Sequence, residues 1–339
     1  MKKLLIRDIA EQLNISTATV SYILNGKAKE KRISPDLTKR VQDFVAAHNY
    51  QPNQLAQSLR TGKTNVICLM VEDIADQFFA GVAGHIEDIA YERGYKIMYC
   101  STKNDTQKAK ELINTFKSRN VDGYIITPPQ GIEEDVQSLL NAKSPVILFD
   151  RYYKKVKSSY VVMNNYESCY QATEHLYEQG YQNIAFVTLD STQVQMTDRL
   201  DGYLACVKKH KRKPLVEQFN YAVRGEESVV TRLMDLMAQH PQTDAIFFAT
   251  NYLAISGLEA LSRLKLQIPN QVGVIAFDDN DLFRIHQPSI TAVAQPIHEM
   301  SVQLINLLLQ NIQSEEEVTM QNEVITGHLI VRESSVRKK

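Results

Sequence analysis

The spacing of apolar residues changes once along the chain. Near the amino end, Ile6, Ile9, Ala10 and Leu13 recur at helical spacing, and Asn14-Ile15 forms a short break. Ser16 stands where an N-cap belongs for a second helix over Thr17–Leu24. Its apolar face is Val20, Ile23 and Leu24, and Asn25-Gly26 is its stop. Ser34-Pro35-Asp36 supplies a cap, a proline at the first helical position and an acid in the first turn of a third helix. Leu37, Val41, Phe44 and Val45 form the stripe of that helix. Two short helices with a tight connection, packed by a third, predict a helix-turn-helix unit whose second helix fits a major groove. A generic three-helix core has the same periodicity, so that alternative stays open. Thr17, Ala18, Ser21 and Tyr22 are the expected exposed positions of the second helix, small or flat enough to approach base edges closely.

Beyond residue 65 the apolar residues gather into short runs separated by helix-length segments. Val66–Val71, Lys96–Cys100, Gly123–Thr127 and Val146–Phe149 form one series of strands. Tyr160–Met163, Ile184–Val187, Ala245–Ala249 and Val272–Phe277 form a second. This is the rhythm of parallel, doubly wound sheets. Two tandem series predict two lobes with a ligand crevice at the carboxyl ends of the strands. Thr291–Ala294 is expected to pair with the first lobe, Met300–Leu309 to be helical, and His328–Arg332 to form a last strand.

Composition narrows the class. The 339 residues, 44% hydrophobic and 23% charged, exclude a disordered or fibrous chain. The net charge of −1 conceals an asymmetry: residues 1–63 hold 11 Lys and Arg against 5 Asp and Glu, leaving 27 against 34 for the rest. A basic head on an acidic body suits a polyanion at the head, although a merely solvated basic face has the same composition. Cys68, Cys100, Cys169 and Cys206 are widely spaced and read as core thiols. No apolar run approaches the ~18 residues of a spanning helix, and the charged amino end lacks an export signal, so a cytoplasmic protein with no membrane partner is expected.

The motifs in the head are specific. Ile6-Arg7-Asp8-Ile9-Ala10, Ser16-Thr17-Ala18-Thr19-Val20-Ser21, Leu24-Asn25-Gly26, Asn49-Tyr50-Gln51-Pro52-Asn53 and Ala56-Gln57-Ser58-Leu59-Arg60 resemble the lactose-repressor (LacI) family of bacterial regulators, and the likeness extends along essentially the whole chain. The resemblance implies that Thr17, Ala18 and Tyr22 face bases, and that Ser16, Thr19, Ser21, Asn25, Ser34, Tyr50 and Asn53 hold the phosphate backbone. It makes Asn53–Arg60 a hinge helix that wedges Leu59 into a minor-groove base step, a segment too short to persist alone. An ordinary interdomain linker is the alternative for this segment. Tyr22 departs from the arginine or histidine common in the family and cannot make the bidentate guanine contact of arginine. The basic loop Lys27–Arg32 is longer than in many members and adds either phosphate contacts or a solvated turn. The implied parts are a helix-turn-helix domain (1–48), a hinge and linker (49–64) and an effector-binding body (65–339). Within the body, lobe 1 spans about 65–162 and 293–324, and lobe 2 about 163–292 and 325–339.

Enzyme signatures are missing. Gly62-Lys63-Thr64 lacks the earlier glycine of a phosphate-binding loop, and no G-x-G-x-x-G follows the first strand. Asp278-Asp279 has no third ligand nearby, and no metal or cofactor is expected. Polar residues at strand ends do suit a hydroxylated ligand. Asp150 and Arg151 end the fourth strand, Arg199 opens a helix, and Asn251 and Asp278 end later strands. Phe78, Phe79 and Tyr221 offer faces for a sugar ring. In the resembling family Phe78-Phe79, Arg199-Leu200-Asp201-Gly202-Tyr203 and Asp278 match effector-pocket positions, whereas Asn164, Tyr252 and Gln77 depart from the residues common there. The reading is a ligand-responsive transcription regulator, most simply a repressor. It binds a double-stranded DNA operator as a homodimer and takes a small sugar or sugar derivative as effector. A sugar-binding receptor or transport-type protein and an α/β enzyme are the alternatives.

Overall fold

The computed structural model describes residues 4–48, 50, 62–314 and 320–337. Its contacts divide the chain into two units, Met1–Thr64 and Asn65–Lys339.

The first unit holds α1 (Ile6–Leu13), α2 (Thr17–Leu24) and α3 (Pro35–Ala47). Asn14 closes α1 in the left-handed region at φ 52°, which Asn tolerates, and so turns the chain within three residues into α2. Ser16 caps α2, its hydroxyl accepting from the Thr19 amide at 3.0 Å, and Ser34 caps α3 through the Leu37 amide. Ile9, Ala10, Val20, Ile23 and Val41 form the buried core, with Tyr50 packed at its margin. The predicted helix-turn-helix is present, and α2 has the bounds expected from its cap and stop.

The second unit is built of two six-stranded sheets. One contains β1 (Val66–Val71), β2 (Lys96–Ser101), β3 (Gly123–Ile126), β4 (Val146–Phe149), β5 (Ser159–Met163) and β11 (Asn322–Ile325), in the order β11-β5-β4-β3-β1-β2, all parallel. The other contains β6 (Ile184–Leu189), β7 (Leu215–Phe219), β8 (Ala245–Phe248), β9 (Gly273–Phe277), β10 (Thr291–Ala294) and β12 (His328–Ile330), in the order β12-β10-β9-β8-β6-β7. Only β12 runs antiparallel. Helices α4 (Gln77–Glu92), α5 (Thr106–Ser118) and α6 (Glu133–Asn141) follow strands of the first sheet. The second sheet carries α7 (Asn165–Glu178), α8 (Val194–Lys209), α9 (Glu227–Gln239), α10 (Asn251–Arg263) and α11 (Asp281–Ile285). The architecture is the expected α/β one, with helices on the faces of parallel sheets as such strands require.

One strand sits elsewhere than expected. Thr291–Ala294 pairs with β9 and β12 in the second sheet, not with the first lobe. An apolar tetrapeptide carries no address for its sheet, and partner choice is a tertiary property. After β10 the chain returns to the first lobe, where α12 (Ile297–Gln313) packs along α4. The chain thus crosses between lobes three times, after β5, β10 and β11. The crossings meet at Gly327, where an added Cβ would lie 2.1 Å from Met163 Cε and 3.2 Å from the Ala294 carbonyl. The side-chain oxygen of Asn164 ties this point by accepting from the Gly327 amide at 2.9 Å.

Candidate functional site

The head presents the second helix as the sequence anticipated. Thr17, Ala18 and Tyr22 are exposed on α2, whereas Ser21 is only partly so. The amino terminus of α2 is exposed, and the positive end of its dipole favours a phosphate. Ser16, Thr19, Ser21, Asn25 and Ser34 are engaged locally. Asn25 donates to the Ser21 carbonyl at 2.6 Å, and the hydroxyls of Ser16 and Thr19 are 2.8 Å apart. These bonds hold the helix ends at the surface. Tyr50 is half-buried, and burial raises its phenol above the ordinary range. The loop predicted to be basic folds back so that the Lys31 ammonium lies 5.5 Å above the Tyr22 ring, adding a cation beside the departure from the family pattern. Asn53 and Leu59 lie outside the described residues.

In the second unit, the carboxyl ends of β1, β4, β6 and β9 face one another across a cleft with an empty volume of about 410 Å³. Phe78, Phe79, Asp150, Arg151, Arg199 and Asp278 line it. Asp150 and Asp278 occupy equivalent places, each just past a strand and each with positive φ, 66° and 65°. Phe78 stacks on Phe149 at 5.7 Å and meets Phe79 edge-on at 5.0 Å, which gives the cleft a rigid aromatic wall.

Arg199 lies within α8, in its second turn, and does not open the helix as expected. Gly202 lets this part of α8 close on α7, since a Cβ there would stand 2.3 Å from the Tyr166 carbonyl. That approach brings Arg199 Nε to Asn165 Oδ1 at 2.8 Å. Its Nη1 donates to the Ala249 carbonyl at 2.7 Å, and its guanidinium lies 3.5 Å over the Phe277 ring. A planar cation clamped in this way is a fixed donor that needs no reorganisation to meet a ligand.

Arg151 has a different task. Its guanidinium donates to the Pro128 carbonyl, to Glu72 at 2.9 Å, to Asn104 at 2.7 Å and, across the cleft, to Gln193 at 2.9 Å. Asn251 begins α10 instead of ending a strand, does not line the cavity, and reaches over to Asp76 at 3.1 Å. Arg224 bridges to Asp73 at 3.2 Å while stacking on Tyr221, and Gln130 meets Thr192. Tyr221 stands behind Tyr252, their rings edge-to-face at 6.4 Å. Side chains from both lobes therefore hold the cleft closed.

Sequence reasoning missed Glu72, Asp76, Gln193 and Gln195, which also line the cavity, as does Tyr252, singled out in the sequence only as a departure from the family pattern. The only sequence signal for Asp76 was a cap ahead of α4, and its Oδ1 does accept from the Phe78 amide at 2.9 Å. Four carboxylates, Glu72 and Asp150 buried and Asp76 and Asp278 half-buried, thus face two buried arginines. Burial, with repulsion from Asp278, pushes Asp76 up to about 6. Burial likewise pushes Asp150 up to about 6, against the pull of Arg151 and Arg199. Asp278 is raised for the same reason, although Arg199 and the Gln295 amide oppose it. Gln195 Oε1 and the Tyr221 hydroxyl are buried without a hydrogen-bond partner among the described residues. Unsatisfied buried polar atoms are costly and rare, and a hydroxyl-bearing ligand in the cleft would satisfy Gln195, which lines it, whereas Tyr221 does not.

Comparison with known proteins agrees with this layout. Residues 5–53 match the bacterial regulatory proteins, lacI family, and residues 173–335 match the periplasmic binding protein-like domain. The ribose operon repressor of Halalkalibacterium halodurans is 30% identical over 330 residues, covering 97% of this chain and 96% of the relative. A crystal structure of the lac repressor dimer bound to operator and the anti-inducer ONPF superposes with a TM-score of 0.86 at 19% identity. It covers 99% of this chain and 100% of that one, and shares the fold. A periplasmic binding protein/LacI transcriptional regulator from Alkaliphilus metalliredigens QYMF, complexed with D-xylulofuranose, gives a TM-score of 0.72 at 25% identity, covering 80% of this chain and 100% of that one. The matched head and the near full-length identity together establish that the chain belongs to the lacI family of bacterial regulatory proteins and is a DNA-binding transcription regulator.

Proposed function

We propose that the protein is a repressor-type regulator whose operator affinity is set by a neutral, polyhydroxylated ligand of monosaccharide size bound between the lobes. The observation that carries the reading is the excess of carboxylates, four against two arginines, lining the cleft. Carboxylates accept from ligand hydroxyls, Arg199 donates to a ring or hydroxyl oxygen, and the Phe78–Phe79 wall takes a C–H face. A phosphate or carboxylate ligand would add negative charge beside four acids and is disfavoured. The names of the two relatives, a ribose repressor and a pentulose complex, point to the same ligand class.

Two copies would place Thr17, Ala18 and Tyr22 on the bases of two half-sites. Ser16, Thr19, Ser21, Asn25, Ser34, Tyr50 and Asn53 would lie on phosphates, and Leu59 would act as the minor-groove wedge. Residues 1–48 read DNA, 49–64 form the hinge and 65–339 sense the ligand. Ligand and operator are coupled only through the ligand's different affinities for the two arrangements of the dimer, so each must alter the affinity of the other. A cytoplasmic, non-catalytic role follows from this reading. Among the described residues, no helix is long and apolar enough to cross a membrane.

The test is to select preferred duplexes from a random pool with the full chain, then titrate the selected complex with neutral pentoses and hexoses and with their phosphates. A neutral sugar should shift operator affinity by at least about fivefold, within the usual range of allosteric coupling, and the phosphates should do nothing. Equal response to both, or no duplex preference under any condition, would refute the proposal.

A further inference from the structure

Away from the cleft, α7 and α8 bring three different metal-ligating side chains together. Cys206 and His210 lie one helical turn apart, His210 capping the end of α8, and Glu174 faces them from α7. Glu174 Oε2 is 3.3 Å from Cys206 Sγ and 3.0 Å from His210 Nε2, and the three ligand atoms all lie within 4.8 Å of one another. We propose that Glu174, Cys206 and His210 form a binding site for a zinc-like divalent transition-metal ion, with one coordination position left to solvent.

The geometry matches the ion. Metal–sulfur, metal–nitrogen and metal–oxygen bonds of about 2.3, 2.0 and 2.1 Å at tetrahedral angles put the ligand atoms roughly 3.3–3.6 Å apart, so side-chain shifts of well under a rotamer change suffice. The donor set, one thiolate, one imidazole and one carboxylate, selects a transition metal over magnesium or calcium. The His210 ring is immobilised by stacking on Tyr177, 4.0 Å away at 15°. The carboxylate is already balanced by a cation: the exposed Lys209 places Nζ 3.0 Å from Glu174 Oε1 and 5.6 Å over the Tyr170 ring, a position the ion would take over. Burial works against ionisation of Glu174, but the hydrogen bonds from Lys209, His210 and Cys206 outweigh it and hold the carboxyl at about 2. Burial and the neighbouring carboxylate keep the Cys206 thiol protonated, up at about 12. Uptake of the ion must therefore break the S–H bond, form the metal–sulfur bond and release one proton to solvent.

Such an ion would fasten the two helices whose other ends hold Asn165 and Arg199. The test uses the full chain freed of metal by a chelator and titrated with cobalt(II). One equivalent should produce a thiolate-to-cobalt charge-transfer band with tetrahedral ligand-field absorption, release about one proton, and be displaced by zinc. Cys206→Ser should abolish the band while leaving circular dichroism unchanged, and His210→Gln should weaken cobalt binding tenfold or more. X-ray absorption of the zinc-loaded wild-type chain, which needs no variant to fold, should show one sulfur per zinc among nitrogen and oxygen ligands. No charge-transfer band, a band that survives Cys206→Ser, or a zinc shell without sulfur would overturn the assignment.

Discussion

Replacing Asp150 with asparagine should stabilise the ligand-free protein while disabling its response. Asparagine keeps the shape and tolerates the left-handed backbone that Asp150 adopts at φ 66°, so the substitution isolates charge. The carboxyl rises from 3.8 to about 6 in the folded chain. At about 1.4 kcal/mol per pKa unit, its ionised form costs about 3 kcal/mol. The sign follows from linkage. The folded state binds the proton more tightly than the unfolded state, so stability is undiminished below about pH 4, falls as pH rises toward about 6, and is flat above that. Asp150→Asn escapes this loss. Near pH 7.5 the variant should therefore melt higher, by about 5 °C for a body of this size. Near pH 4.5, where the linkage expression leaves about 1 kcal/mol of the cost, the advantage should shrink to about a third. Differential scanning calorimetry of the two proteins across this range measures the effect directly. A lower melting temperature at neutral pH, or a difference that does not change with pH, would refute the assignment of Asp150 as a buried charge held in place for a ligand. The same variant should lose most of its affinity for the neutral sugar that shifts operator binding.

Other substitutions test other links in the argument. Gly202→Ala places a methyl 2.3 Å from the Tyr166 carbonyl, and prying α7 from α8 should cost about 1–3 kcal/mol, read by calorimetry, together with weaker sugar binding. Arg199→Lys keeps the charge but loses the fork to Asn165 and Ala249. Sugar affinity should fall at least tenfold in isothermal titration, and unchanged affinity would mean that charge alone suffices. Leu59→Ala should weaken selected-operator binding far more than random-duplex binding in anisotropy titrations; equal losses would contradict the wedge.

How much of this was legible in the residues depends on whether the signal was local. Ser16 and Asn25-Gly26 bracket α2 because a cap and a stop act through neighbouring backbone groups. The central strands showed themselves as unbroken apolar runs because both their faces are covered. β7 and β11 were not anticipated: they lie at sheet edges, and their residues, such as Glu217, Gln218, Asn322 and Glu323, have no buried run to display. The misplacement of Thr291–Ala294 has a related cause, since its composition fits either sheet. In the cleft, Asp150 and Asp278 were readable as polar residues terminating strands. Gln193, Gln195 and Glu72 were not, because they become site residues only when the second lobe closes on the first. Arg199 was found by its motif, but its role as a clamped donor depends on Gly202, whose importance is visible only once two helices are in contact.

The junction at Gly327 constrains how the body can move. Two bodies joined by one thread keep every rotation and some translation, whereas three threads bundled at a single point act as a pivot that suppresses sliding and limits the lobes to turning about it. Work done by a guest in the cleft then cannot dissipate into sliding and must be delivered as rotation about that pivot. A side chain at position 327 would act as a grain in the bearing, and the molecule would lose its responsiveness without losing either of its two binding surfaces.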